Sequence, residues 1–379
     1  MSPRLIDTAF ALADFCQSLQ GAAWLAVDTE FVRERTYHAR LCLLQVASDS
    51  ELGCIDVLAL EDLAPLTALL FEPGVVKVMH AAQQDLEIFQ RHWGRLPRPL
   101  FDTQIAAALL GQGEQIGYGA LVRDVLAVEL DKSQTRTDWS QRPLSEAQLR
   151  YAADDVRFLG PLYRRQHEAL TALGRLDWLW AETAPLTATG DAPAPTEAWR
   201  RVKGHHTLRG GQLAVLQALA VWRESEAEAR DLPRQWLIRD EALQTLARRP
   251  PRNREQLQRL GLDQRLLRRL GPTLLALIRD ACELPAEQWP TPVERLVLDE
   301  AEQALLERAQ RLIREIASRH DLAPPLLATR RELERWVRGA EIPALRGWRA
   351  GLVGEALQRL RTLQEAPVDR AGGSPHGDR

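Results

Sequence analysis

Four carboxylates and one phenol carry the chemistry in this sequence: Asp28, Glu30, Asp85, Asp155 and Tyr151. Asp28 and Glu30 close the run "WLAVDTEF", which reads as a strand. Residues two apart on a strand face the same side, so the pair projects together while Thr29 points away. Two carboxylates at the end of a buried run repel each other and lose hydration, costs that a bound cation offsets. Asp85 stands near the start of the helical stretch "AAQQDLEIFQRHW", after the strand "VVKVM". That places it at the C-terminal edge of a sheet, where α/β sites are built. Tyr151 and Asp155 are four apart in "LSEAQLRYAADDVRFL" and share one helix face, with Ser145 and Gln148 at the spacing of a capping box. Such hard oxygen ligands suit Mg²⁺ or Mn²⁺. Two ions about 3.5 to 4 Å apart support in-line attack of water on a phosphodiester. A phenol beside a metal-bound water can orient it or take its proton.

Elements must bring these residues together. Three β-type runs, "WLAVDTEF", "RLCLLQVA" and "ELGCIDV", follow one another across charged turns and fit consecutive antiparallel strands, with apolar content that suits a sheet covered on both faces. A helical stretch at 60–71, a strand at 75–79 and a further helix come next, and helical periodicity dominates from Thr103 onward. The sum is a mixed α/β domain over residues 1–180. "APLTATGDAPAPTE" reads as part of a linker at 181–197. Beyond it the pattern is all helical, and a shift of about 90 residues aligns "RDLPRQWLIRDEAL" with "HDLAPPLLATRREL". Two related helical domains are expected at 198–285 and 292–364, with a disordered tail at 365–379. The acids Glu224, Glu226 and Glu228 are expected on a solvent-facing helix surface.

The bulk properties narrow the class. Of 379 residues, 45% are apolar and 27% charged, ordinary for a globular chain, and no run reaches the roughly 18 apolar residues of a membrane span. The N-terminal stretch carries acids, unlike a secretory signal, and the four cysteines show no metal-ligand spacing. A cytoplasmic monomer with reduced thiols is expected. Charge divides unevenly: Lys and Arg against Asp and Glu number 17 to 24 in residues 1–180, but 17 to 10 in residues 200–285. An acidic half suits cations and a basic module suits a polyanion. The densest basic cluster comprises Arg200, Arg201, Lys203, His205, His206 and Arg209.

"VDTEF", "HAAQQDLEIF", "FDTQIAA" and "LDKSQTRTDWSQRPLSEAQLRYAADDV" together resemble the ribonuclease D family, in the DEDD superfamily of 3′–5′ exonucleases whose last motif pairs Tyr with Asp. The resemblance spans about residues 4–175, and "AWRRVKGHHTLRGGQLAVLQALAVWRESEAEARDLPRQWLIRDEALQTLA" is similar to the helicase and ribonuclease D C-terminal (HRDC) domain, the second helical copy being a weaker match. It implies a ribonuclease H-like α/β exonuclease fold followed by two HRDC-type domains. It further implies that Asp28 bridges two divalent ions, Glu30 and Asp155 complete the first, Asp85 holds the second, and Tyr151 positions the attacking water. The implied activity is 3′–5′ removal of nucleoside 5′-monophosphates from tRNA precursors and other small structured RNAs. A deoxyribonuclease with the same motifs and an inactive RNA-binding adaptor are the alternatives. Phe31 and His80 are candidates for contact with the terminal nucleotide, against packing and a structural hydrogen bond respectively. Lys132, Arg136, Arg201 and Lys203 are candidate phosphate contacts.

Overall fold

The computed structural model describes residues 3–131, 134, 137–188, 195–292 and 298–365. Its centre is a six-stranded sheet of β1 (Arg4–Ile6), β2 (Trp24–Val32), β3 (Arg40–Ala47), β4 (Leu52–Ile55), β5 (Val76–Met79) and β6 (Leu100–Asp102), in spatial order β1-β4-β3-β2-β5-β6. β2, β3 and β4 run antiparallel as neighbours, whereas β1 joins β4, and β5 and β6 extend from β2, in parallel. The three expected runs are thus the antiparallel centre. β1 and β6 have three residues each, too few to show a period.

Helices cover both faces, which explains the nearly continuous apolar strands. On one side α1 (Ala9–Ser18), α2 (Ala64–Leu70) and α3 (Gln83–Trp93) bury Leu25, Val27, Leu44 and Val46. On the other, α4 (Thr103–Leu109), α6 (Glu146–Arg157) and α7 (Leu159–Ala172) bury Trp24, Ala26, Leu43 and Ala47. α5 (Tyr118–Leu126) packs outside α4 and α7 through Leu121, Val122 and Leu162. Strand alternation then assigns Asp28 and Glu30 to the α6 side and Thr29 to the α3 side.

The linker begins later than the sequence suggests. α8 runs from Leu176 to Thr187, with Thr183 and Thr187 buried and the Thr183 hydroxyl donating to the Leu179 carbonyl at 3.0 Å. Threonine and the final-turn Pro185 weaken its helical signal, and tertiary packing overrides it. A 3₁₀ segment, Pro195–Arg201, then leads into the first helical unit.

That unit comprises α9 (Gly211–Ala229), α10 (Arg234–Leu237), α11 (Asp240–Arg248), α12 (Arg254–Arg259) and α13 (Gln264–Cys282) around a core including Trp199, Leu216, Leu246 and Leu270. α14 (Glu300–Arg319), α15 (Pro324–Leu327) and α16 (Arg330–Val337) repeat the order α9, α10, α11. The repeat extends to backbone geometry. Asp231 and Asp321 both adopt left-handed conformations, φ 45° and 50°, and in each turn the next N–H closes on a helix carbonyl at 2.9 Å, Leu232 to Ala227 and Leu322 to Ala317.

The same turn in each unit meets the α/β domain. Asp231 accepts the Tyr37 amide at 3.0 Å, while Tyr37 Oη donates to Glu224 and His38 Nε2 lies 3.1 Å from Glu228. Glu224 is therefore buried instead of facing solvent, because it also binds Arg201 at 2.8 Å and Arg234 at 3.3 Å. In the second unit, Arg175 donates to the carbonyls of Leu109 and His320 at 2.7 Å each. Trp348 stacks on Trp178 at 4.5 Å, and Arg349 forks onto Glu182 at 2.6 and 2.8 Å.

Gly160, at the start of α7, lies where a Cβ would overlap the buried Trp24 ring. Gly160→Ala is expected to destabilise the α/β domain by about 1–3 kcal/mol, measured by urea or thermal unfolding. An unchanged midpoint would mean that Trp24 can shift freely.

Candidate active site

Each acid is delivered by a rigid local device. The β2–β3 ladder pairs Asp28 with Gln45 and Glu30 with Leu43, then skips Cys42, so a bulge adjoins the acidic pair. Such a bulge re-aims side chains at a strand end. α6 opens on the expected capping box, with Gln148 N donating to Ser145 Oγ at 3.2 Å and Ser145 N to Gln148 Oε1 at 2.9 Å. Ahead of it, Arg142 binds Asp56 at 2.5 and 2.7 Å and the Cys42 carbonyl at 2.9 Å, tying the approach to α6 down on β3. Tyr118 Oη donates to the Asp154 carbonyl at 2.9 Å, beside Asp155.

Asp85 lies in the first turn of α3, and the turn before it is held from β6. Asp102 accepts the amides of Ala81, Ala82 and Gln104 at 3.1, 2.9 and 2.8 Å, which secures Ala81 at φ 53°. Thr29 projects away from its neighbours' face, yet its hydroxyl donates to Asp85 Oδ1. It thereby links the two sides of the sheet at the strand end. The sequence pattern gives Thr29 only a spacer role and Asp102 none.

The result is a compact acidic cluster. One carboxylate oxygen from each of Asp28, Glu30 and Asp155 lies within 4.8 Å of the others, and Asp85 adjoins them closely enough to raise the proton affinity of Asp28 and Glu30. Burial, followed by mutual repulsion, holds Asp28 well above the usual carboxylate range and pushes Glu30 up to about 9. Burial lifts Asp85 to about 6 against the opposing Thr29 hydrogen bond, and lifts Asp155 to about 7, helped by Asp154 and Asp85. Asp154 itself pairs with Arg157 at 3.0 Å. Clustered, desolvated carboxylates are the ligand chemistry of a hard divalent cation.

The other candidates divide. Tyr151 is half-buried on α6 one turn before Asp155, its ring centroid 6.0 Å from that of buried Trp139. Phe31 lines a groove of about 730 Å³ that opens on Asp28 and Asp85 and is bounded by Arg33, Gln84, Gln104 and, from α8, Leu186. His80 is absent from this wall. Thr103 Oγ1 donates to the Met79 carbonyl at 3.1 Å, so His80 Nδ1 at 2.9 Å donates to Thr103, and the ring packs on Tyr118 at 5.5 Å. Lys132 and Arg136 lie outside the described residues. Arg201 is spent on Glu224, and Lys203 is exposed in the first helical unit, with its backbone N–H on Asp240 at 3.0 Å. Arg200 pairs with Glu197.

The pKa shifts fix the sign of a pH effect. Ordinary values are 3.8 for Asp and 4.5 for Glu, and all four acids are raised on folding. Between the unfolded and folded values the folded protein holds more protons, so stability falls as pH rises. Ion-free protein is expected to melt at progressively lower temperature from pH 5 to 9, and saturating Mg²⁺ or Mn²⁺ to remove most of that slope. Calorimetry in EDTA and in Mg²⁺ compares the two, and a flat profile in EDTA contradicts the repulsion described here.

Comparison with known proteins agrees with this geometry. The family described as 3′–5′ exonuclease matches residues 3–170, and the HRDC domain matches residues 212–278. The chain is 38% identical to the ribonuclease D of Escherichia coli, over 97% of this chain and 100% of that one. It is 39% identical to the ribonuclease D of Acidiphilium cryptum, over 95% and 93%. The crystal structure of the Escherichia coli enzyme, described as an exoribonuclease involved in structured RNA processing, superposes with a TM-score of 0.87 across 97% of this chain and 100% of that one, at 37% identity. With such identity sustained along nearly the whole chain, over both the sheet that gathers the acids and the helical units docked on it, the chain belongs to the ribonuclease D family of 3′–5′ exoribonucleases, divalent-metal-dependent hydrolases.

Proposed function

We propose that the chain trims the 3′ ends of tRNA precursors and other small structured RNAs, releasing nucleoside 5′-monophosphates with the help of two Mg²⁺ or Mn²⁺ ions. The observation that carries this reading is the meeting of Asp28, Glu30 and Asp155 within 4.8 Å, with Asp85 tethered beside them. Asp28 would serve both ions, Glu30 and Asp155 would hold one, and Asp85 would hold the other. When bound, such ions lower the pKa of water and neutralise the departing oxygen. Tyr151 orients the water whose oxygen attacks the terminal phosphorus. The bond to the penultimate 3′ oxygen breaks, that oxygen takes a proton, and the phosphate leaves on the 5′ side of the released nucleotide. Phe31 packs against the terminal base from the groove wall.

The first helical unit also offers RNA positive charge outside the sequence-predicted cluster. Arg239, Arg265 and Arg269 line an open groove of about 1010 Å³ together with Trp236, which is 57% exposed. These arginines form no ion pair with the described residues. Free guanidinium groups around an exposed indole suit a single strand, which offers phosphates and stackable bases together. Support for RNA as substrate comes from the Escherichia coli relative, an exoribonuclease of structured RNA.

Asp28→Asn is expected to abolish metal-dependent hydrolysis while RNA binding persists, as read by gel assay and by filter binding. For Tyr151→Phe, kcat should fall by about 10²–10⁴-fold with the melting temperature unchanged, and full activity would make the phenol a bystander. Mass analysis of products from a tRNA precursor with a short 3′ trailer, alongside a matched DNA strand, tests the substrate; faster DNA degradation overturns it. Arg265→Ala with Arg269→Ala should weaken binding to a long RNA and lower the slope of log affinity against log salt by about 1 for each phosphate that an arginine no longer holds, leaving dinucleotide cleavage intact.

A further inference from the structure

Gln45 is buried at 0% exposure in the middle of the sheet, and among the described residues neither Oε1 nor Nε2 of its side chain has a hydrogen-bond partner. A buried amide without partners loses its hydration and gains nothing in return, so native proteins rarely keep one without a use. Its position is specific. Gln45 lies directly across from Asp28 on β2 and, on its other side, from Cys54 on β4. The three therefore share the face on which α6 packs, where Ala152, Ala153 and Val156 present no polar side-chain atom to the sheet.

α6 also carries Asp155, whose carboxylate offers an oxygen within 4.8 Å of one from Asp28, the residue directly across from Gln45. Among the described residues no side chain donates a hydrogen bond to Asp155, whereas Asp85 has Thr29. A buried donor without an acceptor and a carboxylate without a side-chain donor thus both adjoin Asp28. Asp155 is also the one acid of its close trio carried by a helix, so its carboxylate has to be registered against two strand-borne partners across an interface of separate elements.

We propose that Gln45 is a positioning residue whose side-chain N–H donates to Asp155 in the working site and orients that carboxylate against Asp28 and Glu30. The proposal rests on the reading of these acids as metal ligands. Carboxylate ligands need such outer partners to hold their orientation, and removing one commonly costs 10–100-fold in metal affinity or activity.

The test uses Gln45→Met and Gln45→Leu in the full chain, which keep apolar volume and remove the amide. Ion-free thermal unfolding and Mn²⁺ titration by calorimetry are measured with kcat on a short RNA. Expected are an unchanged or higher melting temperature, because an unpartnered amide is gone, and Mn²⁺ binding weaker by roughly 10–100-fold. Adding Gln45→Met to Asp155→Asn is expected to cost nothing further in Mn²⁺ affinity. Wild-type Mn²⁺ affinity in a folded Gln45 variant, losses that merely follow a lower melting temperature, or failure of both variants to fold would overturn the assignment. Asp28→Asn is the control: if it binds Mn²⁺ as wild type does, the metal-ligand reading itself fails, independently of Gln45.

Discussion

The structure is organised around a repulsion. Four carboxylates meet at the end of a buried strand, where withdrawal from water raises the proton affinity of each and proximity raises it further for all but Asp85, whose extra push comes from Asp102. Left to relax, such a cluster would spread apart, since its interaction energy falls steeply with distance and with hydration. The surrounding elements prevent that. β2 is paired on both sides, α6 is capped and pinned by Tyr118, and α3 starts from a turn that Asp102 holds through two backbone amides. A double-sided core over the sheet makes these positions stiff, because packed interiors do not deform continuously.

The helical units extend this logic outward. Both meet the α/β domain through the turn that holds Asp231 or Asp321, one through a side-chain carboxylate and the other through the backbone carbonyl of His320. One supersecondary solution has been used twice, with different chemistry at the contact. Docking engages part of the charge that the sequence displays as a basic cluster: Arg201 pairs with Glu224, which Arg234 joins from outside that cluster. Basic surface remains farther along the unit, around Trp236. α8 completes the arrangement by carrying Leu186 to the rim of the acidic groove and Glu182 to the clamp on Arg349.

Much of the site is legible because its signals are local. Residue parity on a strand places Asp28 and Glu30, a four-residue interval places Tyr151 and Asp155, and Ser145 with Gln148 announces the start of α6. Features that depend on long-range contact are not. Thr29 looks like a spacer because its partner Asp85 is 56 residues away. Asp102 shows no role until the β5–α3 turn folds onto it. Glu224 reads as a solvent acid until Tyr37 and Arg201 arrive. Gln45 is the intermediate case: an amide inside the apolar run "RLCLLQVA" is visible in the sequence, but its lack of a partner is not.

What the cluster excludes explains the rest. Arginine is abundant in this chain and answers acids close by: Arg157 pairs with Asp154, the immediate neighbour of Asp155, and Arg142 pairs with Asp56. Yet among the described residues no lysine or arginine is a cause that lowers the proton affinity of Asp28, Glu30, Asp85 or Asp155, and the hydrogen bonds that do so are neutral, from Thr29 and from backbone N–H groups. A fixed guanidinium there would settle the repulsion permanently and leave no drive to bind anything else. Neutral donors orient carboxylates without neutralising them. The site therefore keeps its excess negative charge available to mobile cations, and the stability withheld by that charge becomes part of their binding free energy.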